Sequence, residues 1–156
     1  MKLKIFIENY FTKLAAMSKQ PCLILCDRGI ADSAAYMDRQ QTQAMLDVEG
    51  WNWPDLRNRR YDSVIFMNTV ADGAEQFYTL QNNKVRHETP EEARQLDRKT
   101  LAAWIGHPYM RICPNFPEKD FKYKVGLAIK AVQKTIGLES NEVINHKFLV
   151  TNSNNK

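Results

Sequence analysis

The stretch Cys22-Leu23-Ile24-Leu25-Cys26-Asp27-Arg28-Gly29 decides how the rest of this sequence is interpreted. Its first five residues form an apolar run of the length and composition that is typical of a buried strand. An acidic residue directly after such a strand is where nucleotide-binding α/β proteins hold Mg²⁺, usually through a water molecule. Asp27 is therefore a candidate metal-site residue. The alternative is a carboxylate that only caps the following turn.

A magnesium site of this kind normally works with an upstream glycine-rich loop, whose backbone N–H groups hold the phosphates. The residues before Cys22 contain no glycine, and none of the 6 glycines in the sequence is followed by lysine. We therefore expect only half of a nucleotide site in this sequence.

Composition and charge exclude several classes of protein. The 156 residues are 44% hydrophobic and 26% charged, which is typical of a globular protein with one sizeable core. No apolar run approaches the roughly 18 residues that a membrane-spanning helix needs, so a cytoplasmic or nuclear location is expected. The net charge of +4 is mild and favours solvated helix faces over a nucleic-acid surface. The 3 cysteines lack C-x-x-C spacing, which argues against a disulfide framework or a zinc site and favours small buried residues at Cys22 and Cys26.

Helical and strand patterns alternate along the chain, which predicts an α/β protein with a parallel sheet of about three strands. Helices are predicted over about 3–18, from a cap at Asp32 through Leu46 to a stop by Gly50, over 74–80, over 89–105 and over 117–136. Strands are predicted over 22–26, 63–67, 109–113 and 143–150, and the polar stretch 81–84 is expected to be mobile. The best helix start is Thr89-Pro90-Glu91-Glu92, which has the pattern of a capping box.

The motifs together resemble a known family. The segment 23–36, Leu-Ile-Leu-Cys-Asp-Arg-Gly-Ile-Ala-Asp-Ser-Ala-Ala-Tyr, resembles the Asp-Arg segment of thymidylate-kinase-type P-loop kinases. More closely, the chain resembles the AAA-domain proteins of the TRPL-translocation-defect type, which are relatives of NadR-like nicotinamide-riboside kinases. The supporting segments are Ile7-Glu8-Asn9, Asn58-Arg59-Arg60-Tyr61-Asp62, Gly73-Ala74-Glu75-Gln76-Phe77-Tyr78, Ala93-Arg94-Gln95-Leu96-Asp97 and Ala103-Trp104-Ile105-Gly106-His107-Pro108-Tyr109.

This resemblance implies a P-loop NTPase fold, three-layered with a parallel sheet, that binds GTP or ATP with Mg²⁺. In the animal members it implies GTP binding, a link to membrane-protein trafficking and binding of phosphoinositide lipids. The family's phosphate loop and first two strands have no counterpart here, so the expected fold is a partial P-loop domain with one trailing strand. The expected division is 1–138 for the partial domain and 139–156 for a linker and the first strand of a truncated triphosphate-tunnel-like domain.

The resemblance also implies roles for individual residues. Arg28 would meet phosphate or acceptor oxygens, and Arg86 and Arg94 would neutralise phosphoryl charge from a mobile lid. Asn115, after the third strand, would contact the nucleotide base. The alternatives are ion pairs for the arginines, with Glu91 or Asp97 as partners of Arg94, and an ordinary turn for Asn115.

Three functions stay open on these grounds. The first is a truncated piece of a nucleotide-binding, trafficking-linked P-loop protein that is inactive in this form, with no catalysis expected from the chain alone. The second is an interaction module without catalysis, which could associate with itself through the truncated sheet. The third is a part of a small-molecule, nucleoside-type kinase. Binding to nucleic acid is not expected.

Overall fold

Four α-helices and two short strands make up most of the part of the chain that the structure describes. The structure is a computed structural model, and it describes residues 1–73 and 88–138. The α-helices are α1 (Lys2–Ala16), α2 (Arg39–Glu49), α3 (Pro90–Trp104) and α4 (Phe121–Thr135), and the strands are β1 (Val64–Met67) and β2 (Met110–Cys113). A 3₁₀ helix covers Ile30–Tyr36 and a π-helical turn covers Asp55–Arg59. The predictions for 74–80, for 81–84, for Arg86 and for 143–150 fall outside the described residues.

The two strands form a parallel pair. Val64 lies opposite Met110, and the register runs to Met67 opposite Cys113. The strands predicted at 63–67 and 109–113 are thereby confirmed, and so is the mixed α/β class. Because the pair is parallel, the residues that follow β1 and the residues that follow β2 meet at the same edge.

The strand predicted at 22–26 is wrong. Residues 21–26 have no assigned strand and make no backbone hydrogen bond within the described residues. Leu23, Ile24 and Leu25 are 42 to 55% exposed. A strand needs a neighbour that supplies N–H and C=O groups, and β1 pairs with β2 instead. The described part of the chain therefore has two parallel strands, not three, and Cys22 and Cys26 are exposed, contrary to expectation.

The helix that was predicted to begin at Asp32 is divided in two. The 3₁₀ helix comes first, and α2 then begins at its own cap, Asp38, whose carboxylate accepts from the Gln41 N–H at 2.7 Å. The predicted end is correct, since Gly50 closes α2 with a left-handed φ of 64°.

Local sequence signals specify α3 well. Thr89 accepts from the Glu92 N–H at 3.2 Å, and the Glu92 carboxylate accepts from the Thr89 N–H at 2.7 Å. These two bonds are the reciprocal pair of a capping box, as predicted. The helix ends at Trp104, two residues before Gly106.

The end of α4 was predicted, but its inner face was not. Phe121, Ile129 and Ile136 recur at helical spacing, yet they are 44 to 66% exposed. The buried residue of this helix is Lys124. Lys124 takes the inner position because its ammonium donates to the Asn68 backbone oxygen and to Asn115 Oδ1.

The main apolar cluster lies between the 3₁₀ helix, α2 and the π-helical turn. Its buried members are Ile30, Leu46 and Leu56, and the half-buried side chains packed against them are Met1, Ile5, Trp51, Trp53 and Tyr61. The first helix contributes little more than Ile5, because none of its residues is buried. Within the described ranges, no helix has the length and apolarity required to cross a membrane.

Candidate functional site

Asp27 lies on the surface just before the 3₁₀ helix. Its carboxylate makes no hydrogen bond and no ion pair in the described part of the chain, and its backbone oxygen accepts from Lys4 Nζ at 3.2 Å. An exposed, unengaged carboxylate fits a contact to Mg²⁺ through water. No group of three His, Cys, Asp or Glu side chains suited to a metal occurs among the described residues.

The residues after Asp27 have an unusual backbone conformation. Arg28 has φ +64°, the only positive φ of a non-glycine residue in the described ranges. Left-handed conformations cost free energy for side chains other than those of Gly, Asn and Asp, so surrounding contacts must hold this one. Asp32 provides one such contact, because its carboxylate accepts from the Gly29 N–H at 2.6 Å and lies 3.8 Å from the Arg28 guanidinium.

Tyr61 provides a second contact to this loop. Its hydroxyl accepts from the Ile30 N–H at 2.7 Å and donates to the Glu8 carboxylate at 3.0 Å. Burial raises the pKa of the Tyr61 phenol well above its ordinary value of 10.0, and the charge of Glu8 adds to this effect. Arg60 completes the network through a 2.7 Å ion pair with Glu8 and a bond to Asn9 Oδ1. Two segments that supported the family resemblance, 7–9 and 58–62, thus meet in space.

The ring of Trp104 packs against the same loop from the end of α3. Trp104 is 3% exposed and meets the Tyr61 ring edge-to-face with centroids 5.3 Å apart. A Cβ placed on Gly29 would lie 2.4 Å from Trp104 Cζ2, so only glycine fits there. Trp104 is therefore a packing residue under the loop at 27–29.

Arg94 lies near the start of α3 and contacts the loop that follows β1. Its guanidinium donates to the backbone oxygen of Ala71 at 2.8 Å and pairs with Glu91 at 3.0 Å. Arg98 also pairs with Glu91, at 3.1 Å. Hydrogen bonds from Arg94, Gln95 and Arg98 lower the pKa of Glu91. The ion pair with Glu91 that was the alternative role for Arg94 is therefore present.

Asn115 holds the loops after β1 and β2 together. Its side-chain N–H groups donate to the backbone oxygens of Thr69 at 2.6 Å and Asp72 at 2.7 Å. Its Oδ1 accepts from Lys124 Nζ at 2.8 Å. Both amide donors are thus engaged within the protein.

Lys124 was not anticipated from the sequence. It is 6% exposed, and its ammonium also donates to the backbone oxygen of Asn68, directly after β1. Burial lowers the pKa of Lys124, while the charge of Asp97 opposes that effect. Burial in turn raises the pKa of Asp97, although the Thr69 N–H and the charges of Lys124 and Arg28 oppose the shift. The sequence contains one indication that Lys124 is buried, which is its position on an otherwise apolar face of α4.

A cleft of about 300 Å³ opens beside Lys124 at the carboxyl edge of the strands. Its walls are mainly apolar and aromatic, and Phe116 and Tyr123 meet edge-to-face with centroids 5.6 Å apart. The residues that line it are Val70, Pro114, Asn115, Phe116, Lys119, Asp120, Phe121, Tyr123 and Lys124. An open, aromatic cleft with a few polar groups is the usual form of a small-molecule site.

The structure brings some of the sequence-predicted site residues together. Arg94 and Asn115 meet on the loop after β1, where they bond to residues 69–72. Asp27 and Arg28 lie on a separate loop, where the described contacts are to Lys4 and Asp32. Arg86 falls outside the described residues.

Comparison with known proteins gives one match. A family model described as AAA domain, of the P-loop NTPase type, matches residues 2–115. No curated protein and no solved structure matches the chain.

Proposed function

Because the chain belongs to the AAA domain family, we propose that it forms part of a P-loop domain that binds GTP or ATP with Mg²⁺. The observation that carries the proposal is the cleft at the carboxyl edge of β1 and β2, beside the loops that Asn115 and Arg94 hold. In parallel α/β proteins, ligands bind outside the carboxyl ends of the strands. The assignment to the nucleotide-binding P-loop type rests on membership of the family.

In this proposal each charged residue acts on a different part of the nucleotide. Asp27 holds Mg²⁺ through water, and Arg28 meets phosphate or acceptor oxygens from its left-handed position. Arg94 and Arg86 neutralise the charge of the phosphoryl group. To do so, Arg94 must break its ion pair with Glu91 and bind the ligand instead. Asn115 contributes the wall of the base cleft and fixes the loop that carries it.

We propose that the chain alone binds nucleotide weakly, since its sequence contains no G-x-x-x-x-G-K-[ST] loop. Micromolar GTP with Mg²⁺ should leave its melting temperature unchanged, because stabilisation requires ligand well above Kd. Millimolar GTP or ATP should shift the amide NMR signals of residues 27–29 together with those of Asn115 and Phe116.

The same titration tests the metal role of Asp27. Asp27→Asn should abolish the Mg²⁺ dependence of the shifts, whereas Asp62→Asn, at another exposed aspartate before β1, should retain it. Nucleotide that perturbs neither loop at millimolar concentration would refute the proposed function. Equal Mg²⁺ dependence in both variants would refute only the role of Asp27.

One structural observation favours the interaction module as a second candidate. Large apolar side chains are exposed along α1 and residues 23–25, among them Phe6 at 68% and Leu25 at 55%. Clusters of exposed apolar side chains mark protein contacts. The division of the chain at residue 138, the link to trafficking, the phosphoinositide partner, the cytoplasmic location and the nucleoside-type kinase activity stay predictions.

A further inference from the structure

Lys124 is a buried cation with an unused donor. Its ammonium has three N–H groups, and it donates to the Asn68 backbone oxygen and to Asn115 Oδ1. No third acceptor contacts it among the described residues. A buried donor without an acceptor costs free energy, so a ligand that supplies the acceptor gains affinity.

No carboxylate neutralises this cation directly in the described ranges. Asp97 acts on Lys124 through its charge but does not form an ion pair with it, and Asp97 Oδ1 accepts from the Thr69 N–H at 3.1 Å. The acceptors of Lys124 among the described residues are therefore neutral oxygens, at a site that is 6% exposed, where a hydrogen bond is stronger than in water.

The surroundings of Lys124 suit a flat heterocycle. Lys124 lines the 300 Å³ cleft together with the Phe116–Tyr123 pair, and the Lys119 ammonium lies 5.5 Å from the centre of the Tyr123 ring. Aromatic walls accept a ring by stacking, and Lys124 and Asn115 are polar residues that line the same space.

We propose that Lys124 recognises the nucleotide base, its third N–H donating to an acceptor on the base edge. This inference rests on the proposed nucleotide-binding function. A cationic donor suits guanine, which presents the O6 and N7 acceptors side by side. Adenine presents an N6 amino group at the corresponding place, and two donors that face each other repel. Lys124 is thus a specificity-determining residue that favours a 6-keto purine.

The wild-type protein alone provides a first test through NMR titration with three nucleotides. We expect GTP and inosine triphosphate to bind about tenfold more tightly than ATP, because inosine keeps the O6 acceptor of guanine. Inosine triphosphate that binds like ATP would overturn the inference even if GTP bound well. Absence of binding by all three would overturn the proposed function itself.

The second test replaces the lysine. Lys124→Met keeps the length of the side chain and removes the donor, and it should lower GTP affinity about tenfold and bring it to the level of ATP. The affinity for tripolyphosphate, which has no base, should be the same in Lys124→Met and the wild type. If the substitution damaged the fold in general, the affinity for tripolyphosphate would fall together with that for GTP. Lys122→Met, at an exposed position on the same helix, should behave like the wild type. A preference for GTP that survives in folded Lys124→Met would refute the role of Lys124.

Discussion

Single side chains fix the backbone of the loop at residues 27–29, and Tyr61 shows how. One hydroxyl accepts from the Ile30 N–H and donates to Glu8, while the Tyr61 ring packs on Trp104. The loop that carries Asp27 and Arg28 is therefore positioned by residues that are distant in sequence. A substitution of Tyr61 should therefore change both the free energy of unfolding and the conformation of the loop at residues 27–29.

Tyr61→Phe should lower the free energy of unfolding by about 1–3 kcal/mol at pH 7, since the Ile30 N–H and Glu8 lose their partner. The raised pKa adds a dependence on pH. The unfolded phenol ionises near pH 10 while the folded phenol stays protonated, so the wild type loses stability as pH rises above about 10. Tyr61→Phe has no phenol at this position and does not lose stability in this way. The difference in the free energy of unfolding between the two proteins should therefore be smaller above about pH 10 than at pH 7.

Urea unfolding at pH 7 and pH 10.5 measures both effects of Tyr61→Phe. Tyr36→Phe, at a tyrosine that is 64% exposed, should match the wild type at pH 7. A difference between wild type and Tyr61→Phe that is constant across the two pH values would contradict the raised pKa.

Gly29→Ala should lower the free energy of unfolding by about 1–3 kcal/mol, because its Cβ would lie 2.4 Å from a ring atom of the buried Trp104. Gly126→Ala is the matched control. A Cβ there meets nothing within 4 Å, and alanine in the middle of α4 should raise stability by roughly 1 kcal/mol. Thermal unfolding of the two variants should therefore shift in opposite directions, and equal shifts would count against this packing.

Among the secondary-structure elements, the helices differ in how they are specified. The start of α3 is coded locally, by Thr89 and Glu92 acting on each other's N–H groups. Thr89→Ala should therefore lower the free energy of unfolding by about 1 kcal/mol in chemical denaturation. Thr12→Ala, at an exposed position inside α1, removes only a bond to a helical carbonyl and should cost little. If both substitutions cost the same, the cap contributes nothing specific.

The same contrast explains what the sequence could predict. Helix limits follow from caps, periodicity and glycine, which are local, so the limits of α1 and α3 were predicted to within about two residues. The end of α4 was predicted equally well, but its start, expected at about 117, lies at Phe121. The strand at 22–26 depended on a partner strand, and pairing cannot be derived from one segment. The role of Lys124 depended on the position of Asn68 and Asn115 in space, and the apolar pattern of α4 concealed it.

At the scale of the whole molecule, the first helix and residues 21–26 expose many apolar side chains. Six large apolar side chains of α1 and that of Met17, the residue after the helix, are more than 40% exposed; the six are Leu3, Phe6, Ile7, Tyr10, Phe11 and Leu14. Residues 21–26 add exposed apolar side chains and backbone groups without partners in the described chain. A second copy supplies both an apolar face and an extended backbone that can pair with 21–26.

We therefore expect the protein to associate with itself at micromolar concentration, with sedimentation showing species heavier than 18.1 kDa. Phe6→Glu should shift the equilibrium toward the monomer because a charge cannot be buried without a partner. Val48→Glu, at an 82% exposed position on α2, is the control and should change little. A strictly monomeric wild type would exclude this self-association.

The parallel pairing of β1 with β2 also sets the order in which the chain can fold. Ser63 and Tyr109, which meet at the beginning of the two strands, are 46 residues apart in sequence. The helices close only short loops and can form within microseconds, whereas the sheet must first bear the loop-closure entropy of this long segment. During synthesis, β1 leaves the ribosome several seconds before β2 exists, at a rate of about 5–20 residues per second. The edge that carries the cleft is therefore the last part of the molecule to be assembled.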